Sequence, residues 1–226
     1  MTFHEISCLI SQNIAKCSKQ WNNFMKILQI EKLINNGSFA HTDTWRRIEK
    51  YILKEIGAMD HPIGRGKFLL YPESGKKRGE GNGVTPIKIS LMNRLAQHGW
   101  KLEEPLPIAT RRLPGKFDAV YYSSEGTIVL EWETGNISSS HRALNKMSLG
   151  LLKGKIAAGI LIVPSREMYK YLTDRVGNYA ELEPYLDLWR AVRCDNGVLE
   201  IVVIEHDDVS YDVPRIPKGT DGRALA

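Results

Sequence analysis

The middle of the chain alternates strand patterns with one helical pattern, and this order constrains the fold more than any other feature. Residues 117–122 and 127–132 are rich in aromatic and β-branched residues and are joined by Ser-Ser-Glu-Gly, which predicts a hairpin. A helical pattern follows at 139–153, and 156–163 is an apolar run typical of a buried strand. A helix between apolar strands predicts an α/β fold, with helices flanking a central mixed β-sheet.

The rest of the chain surrounds this centre. Apolar residues recur at helical spacing in five further segments, 6–28, 45–56, 86–98, 166–176 and 181–190. Residues 198–204 predict a last strand, and 57–83 is rich in loop signals. Ser138 or Ser139 would be the N-cap of the central helix. Nothing marks a domain boundary, so the sequence predicts a single domain over 1–226.

Composition limits the partners of the chain. No apolar run approaches the roughly 20 residues that span a bilayer, so no membrane partner is expected. The cysteines Cys8, Cys17 and Cys194 show neither a disulfide framework nor metal-ligand spacing, and we expect free thiols in a reducing cytoplasm. The glycines of 79–83 lack the lysine that ends a phosphate-binding loop, so no nucleotide cofactor is expected.

Basic charge indicates a polyanionic partner but does not establish one. The formal net charge is +5, and a basic cluster stands at Lys76-Lys77-Arg78. Binding to nucleic acid releases counterions and would explain both features. Solubility explains the net charge equally well, and a solvated loop explains the cluster.

Three carboxylates lie in the predicted hairpin. Asp118 is early in its first strand, and Glu131 and Glu133 are two residues apart at the end of the second, so the glutamates would share a face. Gathered carboxylates repel one another unless a cation neutralises them, and hard oxygen ligands suit Mg²⁺ or Mn²⁺. The spacing matches the Asp…Glu-x-Lys pattern of many nucleases, with Glu133 in the position of the lysine. A solvated acidic hairpin is the alternative, although the apolar neighbours of the glutamates argue against it.

Longer motifs sharpen this interpretation. They are ETGNISSSHRALNKM at 133–147, LTDRVGN at 172–178, ELEPY at 181–185, IPKGTDG at 216–222 and, upstream, NGVTPIK at 82–88. In this order they resemble the BamHI family of type II restriction endonucleases, in the PD-(D/E)XK nuclease superfamily. The resemblance covers roughly 81–222, and for the nearest members it begins near Met25. It implies the restriction-endonuclease-like fold and enzyme activity.

The resemblance implies catalytic roles. Asp118 and Glu131 would bind the catalytic metal. Two Mg²⁺ ions per active site would share Asp118, and Mn²⁺ would be able to replace them. The backbone carbonyl of Trp132 would be a further ligand, and Glu133 would orient or deprotonate the attacking water. Glu103 falls where the family has its remaining active-site acid and would be a further metal ligand, with the adjacent Glu104 as the alternative.

The resemblance also implies contacts with double-stranded DNA. The residues implied to read bases are Asn136, Ser138, Arg142, Asp174 and Arg175. Lys88 would contact a phosphate, and 216–226 would form an arm whose Gly219, Asp221 and Gly222 reach the minor groove. Arginine can donate two hydrogen bonds to guanine, and aspartate can accept one from cytosine. Without the resemblance, Asp174 and Arg175 would be a helix-end ion pair, Arg142 a surface residue and His141 a structural one.

The implied activity is Mg²⁺-dependent cleavage of 5′-GGATCC after the first guanine, leaving 5′-phosphate ends. A palindrome has a two-fold axis, so a homodimer is expected. The resemblance implies that the helix from Ser139 and the segment 181–190 form its interface. The apolar residues Leu144, Met147, Leu149 and Leu151 could serve the core or this interface.

Three alternatives stay open. They are a different GATC-centred site, a repair nuclease of low specificity, and a DNA-binding module without activity. A basic interaction protein with no nucleic-acid role is more remote. Residues 1–24 are expected to be an N-terminal extension, either because translation starts at Met25 or because the extension is a dispensable helix.

Overall fold

The structure is a computed structural model that describes residues 24–77, 79–109, 114–173 and 176–218. Its strands are β1 (Lys26–Asn36), β2 (Leu69–Leu70), β3 (Lys101–Leu106), β4 (Gly115–Ser123), β5 (Gly126–Trp132), β6 (Ala158–Pro164), β7 (Gly197–Glu205) and β8 (Asp208–Val209). Its α-helices are α1 (Asp43–Gly57), α2 (Thr85–Ala96), α3 (Ile137–Leu152), α4 (Arg166–Tyr169), α5 (Tyr179–Leu182) and α6 (Leu186–Arg190). Short 3-10 turns lie at Phe39–His41 and Glu183–Tyr185.

A six-stranded mixed sheet forms the centre, in the order β1-β7-β6-β5-β4-β3. Strands β5, β6 and β7 run parallel, whereas β3, β4 and β5 form an antiparallel meander and β1 is antiparallel to β7. Strands β2 and β8 pair separately as a small parallel sheet. The predicted α/β class with a central mixed sheet is confirmed.

Helices cover both faces of this sheet. On one face α1 buries Trp45 and Ile52 with α2, against side chains such as Ile128 of β5. On the other face α3 buries Leu144 and Met147 against its own set of strand side chains. All residues of β6 and β7 are buried because helices cover both sides of these strands.

The strand β1 corrects one prediction. The helical spacing expected over 6–28 is wrong for 26–28, which belong to this edge strand, and residues 1–23 lie outside the described residues. Register shifts between Ile27 and Gln29 and between Lys32 and Ile34 break the two-residue alternation of the strand. The apolar residues of β1 therefore fall three and four apart, which imitates a helix.

Other element boundaries also differ from the expectation. The helix expected over 166–176 ends at Tyr169, because Leu172 bridges to Asn82 and the Thr173 N–H donates to the Asn82 carbonyl. The helix expected over 181–190 is split into three short turns around Pro184. The N-cap of α3 is Asn136 rather than Ser138 or Ser139. The short strand β3 was not predicted.

Two expectations about composition can be placed. Cys194 is a buried free thiol, whereas Cys8 and Cys17 lie outside the described residues. Across the described ranges, no helix combines the length and apolar character needed to cross a bilayer.

Candidate active site

Asp118 and Glu131 meet where strands β4 and β5 separate. The register pairs Ala119 with Leu130, so the next position along brings Asp118 opposite Glu131. There the main chain contacts carboxylates instead of continuing the ladder. The Trp132 N–H donates to Asp118 Oδ2 at 2.8 Å, and the Asp118 N–H donates to Glu131 Oε2 at 3.4 Å. The hairpin thus places two carboxylates side by side at one end of the sheet.

Each of these carboxylates has its own lysine. Lys88 of α2 donates to Asp118 Oδ1, and its Nζ lies 3.7 Å from Glu103 Oε1. Lys146 of α3 donates to Glu131 Oε1 at 2.5 Å and to the Lys116 carbonyl at 2.6 Å. The pairing is needed because a partly buried carboxylate without a cation or hydrogen bonds is costly. Burial raises the pKa of Glu131, and Lys146 opposes that shift.

Glu133 has a different environment. It is the first residue after β5, it is buried, and it accepts hydrogen bonds from the Ser140 hydroxyl and from the Gly135 N–H, the latter at 2.6 Å. Burial raises the pKa of Glu133 to about 7, although both hydrogen bonds oppose the shift. A carboxyl group with this pKa exchanges its proton near neutral pH, which suits a general base or acid.

Glu103, rather than Glu104, lies on the side of Asp118. The pairs Leu102–Ala119 and Glu104–Phe117 flank it, so Glu103 falls opposite Asp118. Its φ of 50° is a left-handed conformation that few non-glycine residues adopt. Glu104 instead accepts a hydrogen bond from the Tyr122 hydroxyl at 3.0 Å. The Glu103 side chain is 59% exposed, so it borders the site from the solvent side.

The donor set fits a hard divalent cation, with two carboxylates at its centre. Among the residues that the structure describes, no three Asp, Glu, His or Cys side chains are close enough together to hold a metal ion. Mg²⁺ is usually bound through one or two carboxylates, with water and substrate phosphate completing its ligands. Asp118 and Glu131 supply that number, and the main chain of Trp132 borders them.

A cleft of about 580 Å³ opens over these residues. Asp118, Glu131, Glu133, Arg142 and Lys146 all line it. The start of α3 forms one wall, so the cleft combines carboxylates with cationic side chains. A phosphodiester bears one negative charge and needs both kinds of group around it.

Of the remaining candidate residues, the structure describes four and leaves five outside the described ranges. Asn136, Ser138 and Arg142 are exposed at the start of α3, beside the cleft, whereas Lys88 is 18% exposed and is bonded to Asp118. Asp174, Arg175, Gly219, Asp221 and Gly222 lie outside the described residues. His141 packs between the rings of Tyr185 and Trp189, with centroids at 4.9 and 5.4 Å.

The sequence prediction missed Ser140 and Lys146. Both lie on α3 and reach carboxylates of β5 or its end. One signal was available: Ser139, Arg142 and Lys146 stand three and four residues apart, as a polar stripe on a helix that is otherwise apolar toward the sheet. The partner of that stripe could not be read from the spacing alone.

Comparisons with known proteins show the family of the chain. The family described as restriction endonuclease BamHI matches residues 25–223. The chain is 50% identical to the type II restriction enzyme OkrAI of Oceanobacter kriegii over 201 residues, which is 89% of this chain and 100% of OkrAI. It is 37% identical to the type II restriction enzyme BamHI of Bacillus amyloliquefaciens over 148 residues, or 62% of this chain and 67% of that enzyme.

A solved structure has a similar fold. The crystal structure of the restriction endonuclease BglII complexed with a DNA 16-mer superposes with a TM-score of 0.54 at 17% sequence identity. The match covers 83% of this chain and 85% of the BglII chain. At this identity the likeness supports the fold alone.

Proposed function

Because the chain belongs to the BamHI family of type II restriction endonucleases, we propose that it cuts both strands of 5′-GGATCC after the first guanine. The ends would carry 5′-phosphates, and the reaction would need Mg²⁺. The observation that carries this proposal is the cleft in which Asp118, Glu131 and Glu133 stand beside Arg142 and Lys146. The cell's cytoplasm is the proposed location.

The residues of the cleft would divide the chemical work. Asp118, Glu131 and the Trp132 carbonyl would hold Mg²⁺, with two ions per site and with Mn²⁺ as a substitute. The metal would neutralise charge on the scissile phosphate and lower the pKa of a bound water. Glu133 would take the proton of the attacking water, since its pKa of about 7 leaves much of it deprotonated at neutral pH. Glu103 would be a further metal ligand, on the solvent side of Asp118.

Recognition of DNA would use groups around the same cleft. Arg142, Asn136 and Ser138 are exposed beside the carboxylates, so base edges and the scissile phosphate could be contacted together. The proposed readers Asp174 and Arg175 and the proposed arm residues Gly219, Asp221 and Gly222 rest on the family resemblance. Lys88 would leave Asp118 for a phosphate only when another cation replaces it there.

A homodimer would place one cleft on each strand of the palindrome. Leu144, Met147 and Leu151 cannot serve as its interface, because all three are buried within the chain. Tyr185, directly before α6, and Leu188, on α6, are 47% and 66% exposed and are the better candidates. We expect Leu188→Glu to remove double-strand cleavage and halve the mass measured by sedimentation, while circular dichroism stays unchanged. A fully active monomer would contradict the dimer.

The direct test is cleavage of a duplex that contains GGATCC, beside duplexes with AGATCT and with scrambled sites. Mg²⁺ is added in one series and a chelator in the other. We expect cutting at GGATCC only, and only with Mg²⁺. Cutting at a different GATC-centred site would keep the chemistry and overturn the outer base pair. Equal cutting of all duplexes would favour a nuclease of low specificity, and specific binding without cutting would overturn the enzymatic proposal.

A further inference from the structure

The buried side chain of Asn82 joins three segments of the chain: its own, the one around Tyr171 and the one around Ile216. It is 0% exposed, and its Nδ2 donates to the carbonyls of Tyr71 and Tyr171, both at 2.9 Å. Its Oδ1 accepts from the Ile216 N–H at 3.2 Å. The Asn82 main chain adds a bond from its N–H to the Tyr171 carbonyl at 2.8 Å and one from the Thr173 N–H at 2.9 Å. Nearly the full bonding capacity of the amide is used on main-chain partners.

Two glycines bring these main chains into direct contact. A Cβ atom on Gly75 would lie 1.3 Å from the Leu172 carbonyl oxygen, and one on Gly83 would lie 2.0 Å from the Pro217 carbonyl oxygen. The Gly75 N–H donates to the Lys170 carbonyl and the Gly83 N–H to the Ile216 carbonyl, each at 2.9 Å. At these two positions the main chains touch directly, so hydrogen-bond geometry contributes to their relative positions beside the packing of Leu172 and Ile216 in the core.

The three segments lead to different parts of the proposed DNA interface. Thr173 directly precedes Asp174 and Arg175, and Lys218 directly precedes Gly219. Asn82 itself stands three residues before α2, which carries Lys88 to Asp118. The motif that contains Asn82 is therefore connected along the chain to the proposed base readers, to the proposed C-terminal arm and to the carboxylates of the cleft.

We propose that Asn82 is a positioning residue that holds Thr173 and Ile216 at a fixed separation, and so fixes the points from which the proposed base readers and the proposed arm continue. Site discrimination would then depend on Asn82. This inference rests on the proposed function. A bidentate contact distinguishes bases by roughly tenfold to a hundredfold, and only while donor and acceptor stay within hydrogen-bond reach. We call the hydrogen bonds of Asn82 to Tyr71, Tyr171, Thr173 and Ile216 the tether. Removing these bonds would reduce that discrimination while the cleft residues keep their positions.

The test compares the single-turnover cleavage rate on GGATCC with the rates on duplexes in which one base pair of the site is changed. For Asn82→Ala we expect the ratio of these rates to fall by about tenfold or more, because two segments are released. Its control is Ile52→Ala, which empties a buried position of α1 and lowers the melting temperature without touching the tether. We expect that control to keep the wild-type ratio.

A milder pair of variants removes the risk that Asn82→Ala does not fold. The Arg215 guanidinium bonds Glu73 at 2.8 Å and the Gly79 carbonyl at 3.1 Å, so it joins the same segments at the surface. Arg94 is its match, with Glu55 at 3.3 Å and the Ala58 carbonyl at 3.4 Å, at similar exposure but between α1 and α2. We expect Arg215→Gln to lower the discrimination ratio about twofold to fivefold and Arg94→Gln to leave it unchanged.

The outcomes separate this proposal from the proposed function. A wild-type enzyme that cuts all duplexes equally would overturn the function itself. A wild-type enzyme that discriminates, with an unchanged ratio in folded Asn82→Ala, would overturn the tether and leave Asn82 a purely structural residue. If circular dichroism shows Asn82→Ala unfolded, an unchanged ratio in Arg215→Gln has the same consequence.

Discussion

Two groups of carboxyls lie on different strands of the sheet, and the protein accommodates them differently. At the cleft, Asp118 bonds Lys88 and Glu131 bonds Lys146. Nearer the β1 edge of the sheet, Glu200 of β7 is 1% exposed and faces a second carboxyl, that of Glu49 on α1. The nearby lysine there, Lys32, bonds Glu49 at 2.9 Å. Burial first, and the charge of Glu49 second, raise the pKa of Glu200 to about 8.

The difference is one of access for cations. Glu200 is enclosed by β1 and α1, so protonation is the cheapest way to neutralise it. Asp118 and Glu131 open onto the cleft, where lysine ammonium groups neutralise them and where a dissolved ion could reach the same oxygens. A carboxylate kept charged in an accessible cleft can bind a metal, whereas a protonated carboxyl in the core cannot. We therefore expect the cleft carboxylates and Glu200 to differ in how substitution, added metal and pH affect activity and stability.

The largest difference is expected from Asp118→Asn. It keeps the shape of the side chain but removes a charge that the proposed metal site needs, so cleavage should fall by about a thousandfold or more. Binding of a GGATCC duplex, measured by fluorescence anisotropy in Ca²⁺, should change by less than about tenfold, because base contacts remain. Glu104→Gln is the control, since Glu104 faces Tyr122, and it should cut normally. Loss of binding together with an altered circular dichroism spectrum would make Asp118 structural.

Lys146→Met tests whether Lys146 is the counter-ion of Glu131 when no metal is bound. The substitution leaves Glu131 partly buried with no cation, so the free energy of unfolding in a chelator should fall by about 3 kcal/mol. Added Mg²⁺ should recover part of this loss, so the rise in melting temperature on adding Mg²⁺ should exceed that of the wild type. Lys170→Met is matched to it, because Lys170 also bonds a glutamate at 2.5 Å, but at the surface. Equal effects of Mg²⁺ on the variant and the wild type would contradict this role.

The parts of the fold that the sequence predicts are those set by neighbouring residues. The hairpin of β4 and β5 and the strands β6 and β7 follow from periodicity and turn residues, and they bring Asp118 beside Glu131. The roles of these residues stay predictions. The lysine pairs could not be predicted, because Lys88 and Asp118 are 30 residues apart and their contact depends on how α2 packs on the sheet. The strand β1 could not be predicted either, because its register shifts break the two-residue alternation that indicates a strand.

Glu200, near the β1 edge of the sheet, marks the limit of what the sequence predicts. It is one glutamate within the apolar strand β7, and its spacing does not show whether it faces solvent, a lysine or another acid. Only the packing of α1 and β1 brings Glu49 and Lys32 to it. The pairing register, Lys32 opposite Glu200, depends on the same shifts that concealed β1.

Glu200→Gln should produce the smallest of the three effects, and its sign depends on pH. In the folded state the pKa of Glu200 is about 8, against 4.5 for an ordinary glutamate, so the folded protein holds a proton that the unfolded chain releases between these values. Wild-type stability therefore falls as pH rises from about 5 toward 8, by roughly 2 to 3 kcal/mol, and is unaffected by this group below pH 4. Glutamine carries no proton to lose, so the variant should gain on the wild type as pH rises. Urea unfolding at pH 5 and pH 7.5 measures the slope, with exposed Glu167→Gln as the control. Parallel slopes for wild type and Glu200→Gln would show that Lys32 neutralises Glu200 as a charged group, and the contrast between Glu200 and the carboxylates of the cleft would disappear.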